Sequence, residues 1–295
     1  MIVEIIKDIK EYINLLNSAN LKTNLVSRNI NFILNDNFFI DLNNFLKLQF
    51  QYLIYNNYFN INNNNLNYLD KDINDNTNLK YKNTNININT NTNTNTNTNI
   101  EYQSSLNILE NKYQSNTICY HILNSAQLYI VSLFKVAIQN KNTFEILDVG
   151  SGNGFPGIII AILYKYQYLY DYFNNTTINQ SKIKLYLCDC STKKIDFLLN
   201  IKKQLNLDIE IINTQIQESK IQKFDLLLSR AFSSKISLFK AIEKISYLYL
   251  IILKSKDYDA NLIYRETNKI KQVISINGFA SNIILANTKI IKNNI

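Results

Sequence analysis

Four of the chain's five glycines and its only proline stand together in Gly150-Ser151-Gly152-Asn153-Gly154-Phe155-Pro156-Gly157. Elsewhere the 295-residue chain is built largely from Asn, Ile, Lys, Leu and Tyr. Glycine reaches positive φ without steric penalty and lets another molecule approach the main chain closely. A chain that holds almost no glycine elsewhere has concentrated that freedom at one turn. An apolar run closing on an acid, Phe144-Glu145-Ile146-Leu147-Asp148-Val149, leads into it. Pro156, which has no N–H to leave unpaired, suits the first turn of a following helix. The pattern is strand, glycine turn, helix.

From Phe144 onward, short apolar runs alternate with helical patterns. Strands are expected at Glu145–Val149, Lys184–Cys188, Ile209–Ile212, Phe224–Leu228, Leu248–Leu253 and Ile283–Ala286. Helices are expected at Gly157–Leu163, Lys193–Leu205, Ser237–Ser246 and Asp259–Lys271. That alternation predicts an α/β fold, a doubly wound parallel sheet covered on both faces, with the last strands forming an antiparallel edge. Residues Tyr164 to Ser181 read as a small insertion between the first helix and the second strand.

The N-terminal part has a different character. Ile5, Ile6, Ile9, Ile13, Leu15 and Leu16 lie close to a 3.6 period and predict an amphipathic helix in residues 1–30. Residues 31–112 read as a low-complexity insertion, largely disordered. Its centre, Asn56 to Asn99, is dominated by Asn and Thr, whose side chains compete with helix and give little apolar area to bury. The aromatic piece Phe38 to Phe59 reads either as a loosely attached helix or as part of the same insertion. Helical patterning resumes with Ile118, Ile122, Leu123, Leu128 and Val131, so 113–143 completes the N-terminal part and 144–295 forms the main domain.

No run approaches the roughly 18 to 20 apolar residues of a membrane span, and the acid-bearing N-terminus lacks a secretory cleavage site. Cys119, Cys188 and Cys190 are too few for a disulfide framework, and Cys188-Asp-Cys190 is too tightly spaced for a zinc knuckle. These features predict a soluble cytoplasmic protein with no metal and no membrane partner. Residues 1–113 carry 9 Lys+Arg against 10 Asp+Glu, whereas residues 114–295 carry 22 against 13. The excess favours an anionic partner, nucleic acid being the commonest. Lysine enrichment from an A/T-biased genome accounts for it equally well.

In a doubly wound sheet the ligand lies outside the carboxyl ends of the strands, beside the first strand. Gly150, Gly152 and Gly154 fall there in G-x-G-x-G spacing. About forty residues on, at the end of the next strand, stands Asp189, an acid able to accept both hydroxyls of a ribose. A competing reading makes Asp189 an N-cap for the next helix, a task Ser191 can also perform. Glycine turn plus strand-end acid indicates a nucleoside-containing cofactor, with S-adenosylmethionine and NAD both allowed.

Five segments, in order, carry a resemblance. They are Tyr12-Ile-Asn-Leu-Leu-Asn-Ser-Ala-Asn-Leu-Lys-Thr-Asn-Leu-Val-Ser27, His121-Ile-Leu-Asn-Ser125, the glycine motif Asp148–Gly157 with its Phe-Pro-Gly ending, Cys188-Asp-Cys-Ser-Thr-Lys-Lys-Ile-Asp-Phe-Leu198, and Phe224-Asp-Leu-Leu-Leu-Ser-Arg-Ala-Phe-Ser-Ser234. Together they resemble the bacterial 16S rRNA guanine-N7 methyltransferases of the glucose-inhibited division protein B family. The resemblance covers about residues 1–30 and 113–256. It implies a Rossmann-like class I methyltransferase sheet with a helical N-terminal extension. It also implies S-adenosyl-L-methionine as cofactor, and 16S rRNA or the small ribosomal subunit as partner of a monomeric enzyme.

By the same resemblance, Gly150, Gly152 and Phe155 line the methionine and adenosine pocket. Asp189 holds the ribose, and Ile216 and Gln217 flank the adenine. Arg230, the catalytic residue, faces cofactor and incoming guanine. His121 is not needed as a base, because guanine N7 has a lone pair and no proton to remove. Departures are Asn124 where the family usually has Asp, Gln215-Ile-Gln-Glu218 in place of Arg-x-Glu-Glu, and Tyr247–Ser255 without Pro-Gly or Leu-Lys-Gly. These losses leave open a degenerate rRNA-binding protein without turnover.

Overall fold

The computed structural model describes residues 2–23, 34–55, 92–137, 141–167, 182–230, 235–254, 256, 258–259, 263 and 269–288. Among the described residues seven strands make one sheet: β1 (Thr143–Val149), β2 (Lys182–Asp189), β3 (Ile209–Asn213), β4 (Leu226–Ser229), β5 (Tyr249–Lys254), β6 (Gln272–Asn277) and β7 (Asn282–Asn287). Their order is β3-β2-β1-β4-β5-β7-β6. β1 to β5 pair in parallel, and β7 runs antiparallel between β5 and β6. The order turns back on itself between β1 and β4, which places a crevice at their carboxyl ends.

Alternation along β1 divides the core in two. Phe144 and Ile146 point into one apolar layer, Leu147 and Val149 into the other. The first layer is thick. It holds the buried faces of α5 (Gly157–Lys165) and α6 (Thr192–Gln204) together with the N-terminal helices α1 (Ile2–Thr23), α2 (Asp36–Tyr55), α3 (Thr92–Tyr113) and α4 (Thr117–Ala137). Every residue of α4 from Ile122 to Val136 is buried. The helix is covered all round, its buried residues including Asn124, Ser125, Gln127, Ser132 and Lys135 beside the apolar ones, and α4 lies between α2 and α5. The second layer is closed by α7 (Lys235–Ala241) and the turns after it.

The expected disordered stretch 31–112 is corrected at both ends. Within α2, Phe38, Leu42, Phe45, Leu46, Phe50 and Leu53 recur at helical spacing and are buried. Within α3, Tyr102, Leu106, Leu109 and Tyr113 do the same. An apolar seam at that spacing makes helix regardless of the bulk composition around it. The Asn/Thr-rich centre, 56–91, lies outside the described residues.

Three smaller differences follow. The expected insertion from Tyr164 begins later, because α5 runs to Lys165 and the Tyr164 hydroxyl meets Ser132 Oγ at 2.9 Å; residues 168–181 lie outside the description. α7 stops at Ala241, short of the expected Ser246. Most of the expected helix Asp259–Lys271 also lies outside the described residues, and β6 follows it as a strand that the pattern did not reveal.

The remaining glycine, Gly278, explains how the sheet edge meets the helices. A Cβ there would sit 2.3 Å from Gln127 Oε1, so only glycine permits the approach. Gln127 Oε1 accepts the Phe279 N–H at 2.8 Å, and its Nε2 donates to Asn124 Oδ1 at 2.7 Å and Ser281 Oγ at 3.1 Å. The Phe279 ring packs against Tyr120 and Phe45, at 4.8 and 5.8 Å between centroids. Glu110 on α3 accepts the Ala280 N–H at 2.8 Å. The β6–β7 tip is thereby plugged into α2, α3 and α4. Phe279→Ala is expected to lower unfolding free energy by ~3–5 kcal/mol, read as a shift in urea midpoint. A loss no larger than that of an exposed substitution would contradict the plug.

Candidate active site

Val149 pairs with Cys188 in the β1–β2 register, and the turn after β1 closes on that neighbour. Gly150 and Ser151 both donate their N–H to the Cys188 carbonyl at 2.9 Å. Ser151 Oγ accepts the Cys188 N–H at 3.0 Å and donates to the Asp148 carbonyl at 2.9 Å. Gly150, Gly152 and Gly154 take φ of 75°, 58° and 102°, the region that favours glycine. Their surroundings separate their tasks. A Cβ on Gly152 would meet only the Gly150 carbonyl, at 3.8 Å, so this position faces open space. A Cβ on Gly154 would strike Ile158 at 2.6 Å, and one on Gly157 would strike Asp148 Oδ2 at 2.7 Å. The last two serve internal packing.

Two buried acids flank the turn. Asp189 Oδ2 accepts the Gly152 N–H at 3.0 Å, and Oδ1 accepts the Ser191 N–H at 2.9 Å. Lys194 lies 3.4 Å from Oδ2. Asp189 therefore ties the glycine turn to β2 and also holds the entry of α6, where Ser191 makes no side-chain cap bond. The N-cap position itself is Ser191, so the N-cap reading of Asp189 is corrected: its carboxylate holds the residue before the helix and not a first-turn N–H. Oδ2 also accepts from Lys194 Nζ, so Oδ1 is the oxygen that keeps a further lone pair for a ligand. Asp148 Oδ2 accepts the Gly157 N–H at 3.1 Å, whereas Oδ1 is buried with no partner among the described residues. Burial pushes the Asp148 carboxyl up to about 7, against the opposing pull of Ser151, Gly157 and the Arg230 charge.

A second cluster forms around Phe155. Its ring is buried, edge-on to Tyr12 at 5.3 Å and tilted against His121 at 5.3 Å, with the Arg230 guanidinium 5.9 Å from its centroid. The Tyr12 hydroxyl donates to the Asn153 carbonyl at 2.9 Å, so α1 holds the glycine turn from above. Arg230 follows β4 and donates from its guanidinium to His121 Nδ1. Burial, and then the Arg230 charge, push the His121 imidazole down to about 3, so it is neutral at physiological pH.

The sequence-predicted residues thus fall into three groups. Gly150, Gly152 and Asp189 share one bonded unit, and Phe155 joins Arg230 in a second. Ile216 and Gln217 stand apart on a short 3₁₀ turn after β3, Ile216 buried and Gln217 exposed. Ala231 to Ser234, part of the Ser-Arg-Ala segment, lie outside the described residues. Tyr12, Ser151 and the orphaned oxygen of Asp148 were not singled out from sequence. Asp148 could have been found from its place before the first glycine, but nothing in the chain links Tyr12 to Asn153.

This strand order, with a glycine turn after β1 and an acid after β2, defines a class I methyltransferase fold. The family model GidB, described as rRNA small subunit methyltransferase G, matches residues 92–170 and 176–286. The chain belongs to that family, the one its motifs resemble. The match begins with α3, inside the stretch first read as insertion, and the N-terminal segment Tyr12–Ser27 lies outside it.

Proteins named ribosomal RNA small subunit methyltransferase G are similar in part. The one from Zymomonas mobilis is 29% identical over 153 residues, 52% of this chain and 62% of that protein. The one from Rickettsia felis is 29% identical over 164 residues, 55% of this chain and 72% of that protein. The one from Borrelia garinii is 38% identical over 98 residues, 33% of this chain and 39% of that protein. The similarity to the first of these spans less than two thirds of its length.

The Asp148 carboxyl makes a pH prediction. Below about pH 4 it is protonated in both the folded and the unfolded chain. As pH rises towards 7 the unfolded chain loses this proton and the folded chain keeps it, so Asp148 costs stability progressively through that window. Urea unfolding at pH 5 and pH 8 should show Asp148→Asn gaining on the parent chain as pH rises. A gap independent of pH would rule out a neutral, buried Asp148.

Proposed function

We propose that the chain is an S-adenosyl-L-methionine-dependent methyltransferase that methylates N7 of a guanosine in 16S rRNA of the small ribosomal subunit, in the cytoplasm. The observation that carries the reading is the bonded unit of Gly152 and Asp189 at the sheet's switch point, with Arg230 on the adjoining strand end, in a chain of this family.

The residues present suit the cofactor. Gly152 leaves open space beside the backbone, and the orphaned Asp148 oxygen suits a cationic group. Asp189 Oδ1 has a lone pair left for a ribose hydroxyl, and Ile216 adds apolar surface next to the exposed Gln217. In this assignment Gly150 and Gly152 bound the methionine part and Asp189 holds the ribose. Ile216 and Gln217 flank the adenine, and Phe155 backs the pocket through its packing.

When bound, S-adenosylmethionine supplies an electrophilic methyl group on a sulfonium centre. Guanine N7 carries an in-plane lone pair and no proton, so the chain's task is to hold the base in line. Positioning of this kind can supply roughly 7–11 kcal/mol. Arg230 is the residue placed to orient the base, by donating to its O6. The positive excess of residues 114–295 suits a phosphate-rich partner, whose binding should weaken steeply with salt.

Calorimetry should show saturable binding of S-adenosylmethionine and none of NAD; the reverse pattern overturns the assignment. Tritiated methyl transfer to hypomethylated small subunits should follow, with the modified position mapped by primer extension. RNA binding without incorporation would favour a non-catalytic scaffold. Gly150→Asp places a carboxylate where φ is 75°, and should abolish both cofactor binding and transfer. Unchanged methylation in that variant would refute the site.

A further inference from the structure

Arg230 presents five N–H donors and no acceptor, at the strand end where the sheet order reverses. Among the described residues it forms no ion pair. Its polar contact is with His121 Nδ1, and its flat face lies towards Phe155. Asp148 and Tyr12 are the other ionisable groups whose field it feels. The hydrogen bond settles the tautomer. A guanidinium can only donate, so Nδ1 must accept and the imidazole proton must sit on Nε2. The His121 ring is braced in turn by Phe155, and its carbonyl accepts from Ser125 Oγ at 2.7 Å on the same buried helix.

We infer that His121 is a positioning residue that fixes the Arg230 guanidinium against Phe155, so that its remaining N–H groups face an acceptor on the reacting base, and that His121 itself moves no proton. The inference rests on the methyltransferase reading above. A purine with a carbonyl beside its nucleophilic nitrogen offers such an acceptor, whereas an amino group at that place would set donor against donor. An arginine free to swing would spend rotamer entropy each time a base docks; one already held does not.

His121 is the chain's only histidine, so 15N NMR of the full-length protein reports its ring alone. The Nε2–H tautomer should persist, uncharged, down to about pH 5, well below the ordinary titration near 6.5. Arg230→Gln should shift the titration upward by removing a neighbouring charge. An Nδ1–H tautomer, or a titration indifferent to Arg230, overturns the pair.

Kinetics on hypomethylated small subunits test the role. His121→Ala should lower kcat by roughly 10- to 100-fold, the size of a lost hydrogen bond to a charged group. The cofactor Kd should stay within about threefold, since the loss is confined to the reacting base. His121→Asn, whose Oδ1 stands near the Nδ1 position, should recover most of the rate. His121→Phe keeps the ring packing without an acceptor and should stay slow. In an Arg230→Ala background, His121→Ala should cost nothing further, because one residue acts through the other. Full activity in His121→Phe, or losses that simply add, would sink the proposal. Should the parent chain transfer no methyl group while the tautomer is as stated, the pair stands and the methyltransferase reading falls.

Discussion

The peptide groups of Cys188 anchor the site. The carbonyl accepts two N–H groups from the glycine turn, and the N–H donates to Ser151, the residue between the first two glycines. The turn therefore closes on the neighbouring strand as well as on itself, where Gly154 N–H donates to the Ser151 carbonyl at 2.8 Å, and the β1–β2 register sets its place. One residue beyond Cys188, Asp189 continues the clasp through Gly152. Each bond contributes only about 0.5–1.5 kcal/mol net, yet together they fix three positive-φ residues that a free chain would leave mobile. A one-residue slip of β2 would put every partner on the wrong face. The geometry of the glycine turn is thus a consequence of strand pairing, stabilised by the same apolar layers that hold the sheet.

The opposite wall comes from far away in the chain. Tyr12 on α1 and His121 on α4 both reach Phe155, the aromatic residue of the turn. The helices that carry them share one apolar layer with α5 and the sheet. Plugging the β6–β7 tip into α2, α3 and α4 ties the far edge of the sheet to the same helices. Nothing in this arrangement resembles an appended domain. The N-terminal helices complete the site by covering one side of the glycine turn, leaving Gly152 as the side that opens outward.

How much of this could be read from sequence followed the physics of each signal. The glycine turn and β1 to β5 were legible because glycine is so scarce here and because buried parallel strands read as short continuous apolar runs. α2 is half legible, because Phe38 to Phe59 reads either as a loosely attached helix or as insertion, and α3 is hidden by the composition of the stretch that contains it. Their seams, Phe38 to Leu53 and Tyr102 to Tyr113, stand beside Asn/Thr repeats that dilute any average. β6 was missed because Val273, Ile274 and Ile276 are too few to separate a strand from a helix end. Asp189 carries two competing readings, ribose acceptor and N-cap; the N-cap is Ser191, and Asp189 instead bonds the glycine turn and the Ser191 N–H. Tyr12 to Asn153 and His121 to Arg230 span more than a hundred residues each, and no local pattern encodes such contacts.

The chemistry left to the site follows from where its protons sit. His121 has its Nδ1 lone pair engaged by Arg230 and its other nitrogen protonated. Asp148 holds its proton up to about pH 7, and both Asp189 oxygens already accept backbone N–H groups. Arg230 can only donate. Of these groups only Asp148 could take a proton near neutrality, and it is buried at 1% exposure. An atom with an exposed lone pair and no proton needs only to be held in place, and a guanidinium braced by a neutral imidazole is built to hold. Asp148 apart, this proton inventory suits the proposed transfer to an atom that carries no proton.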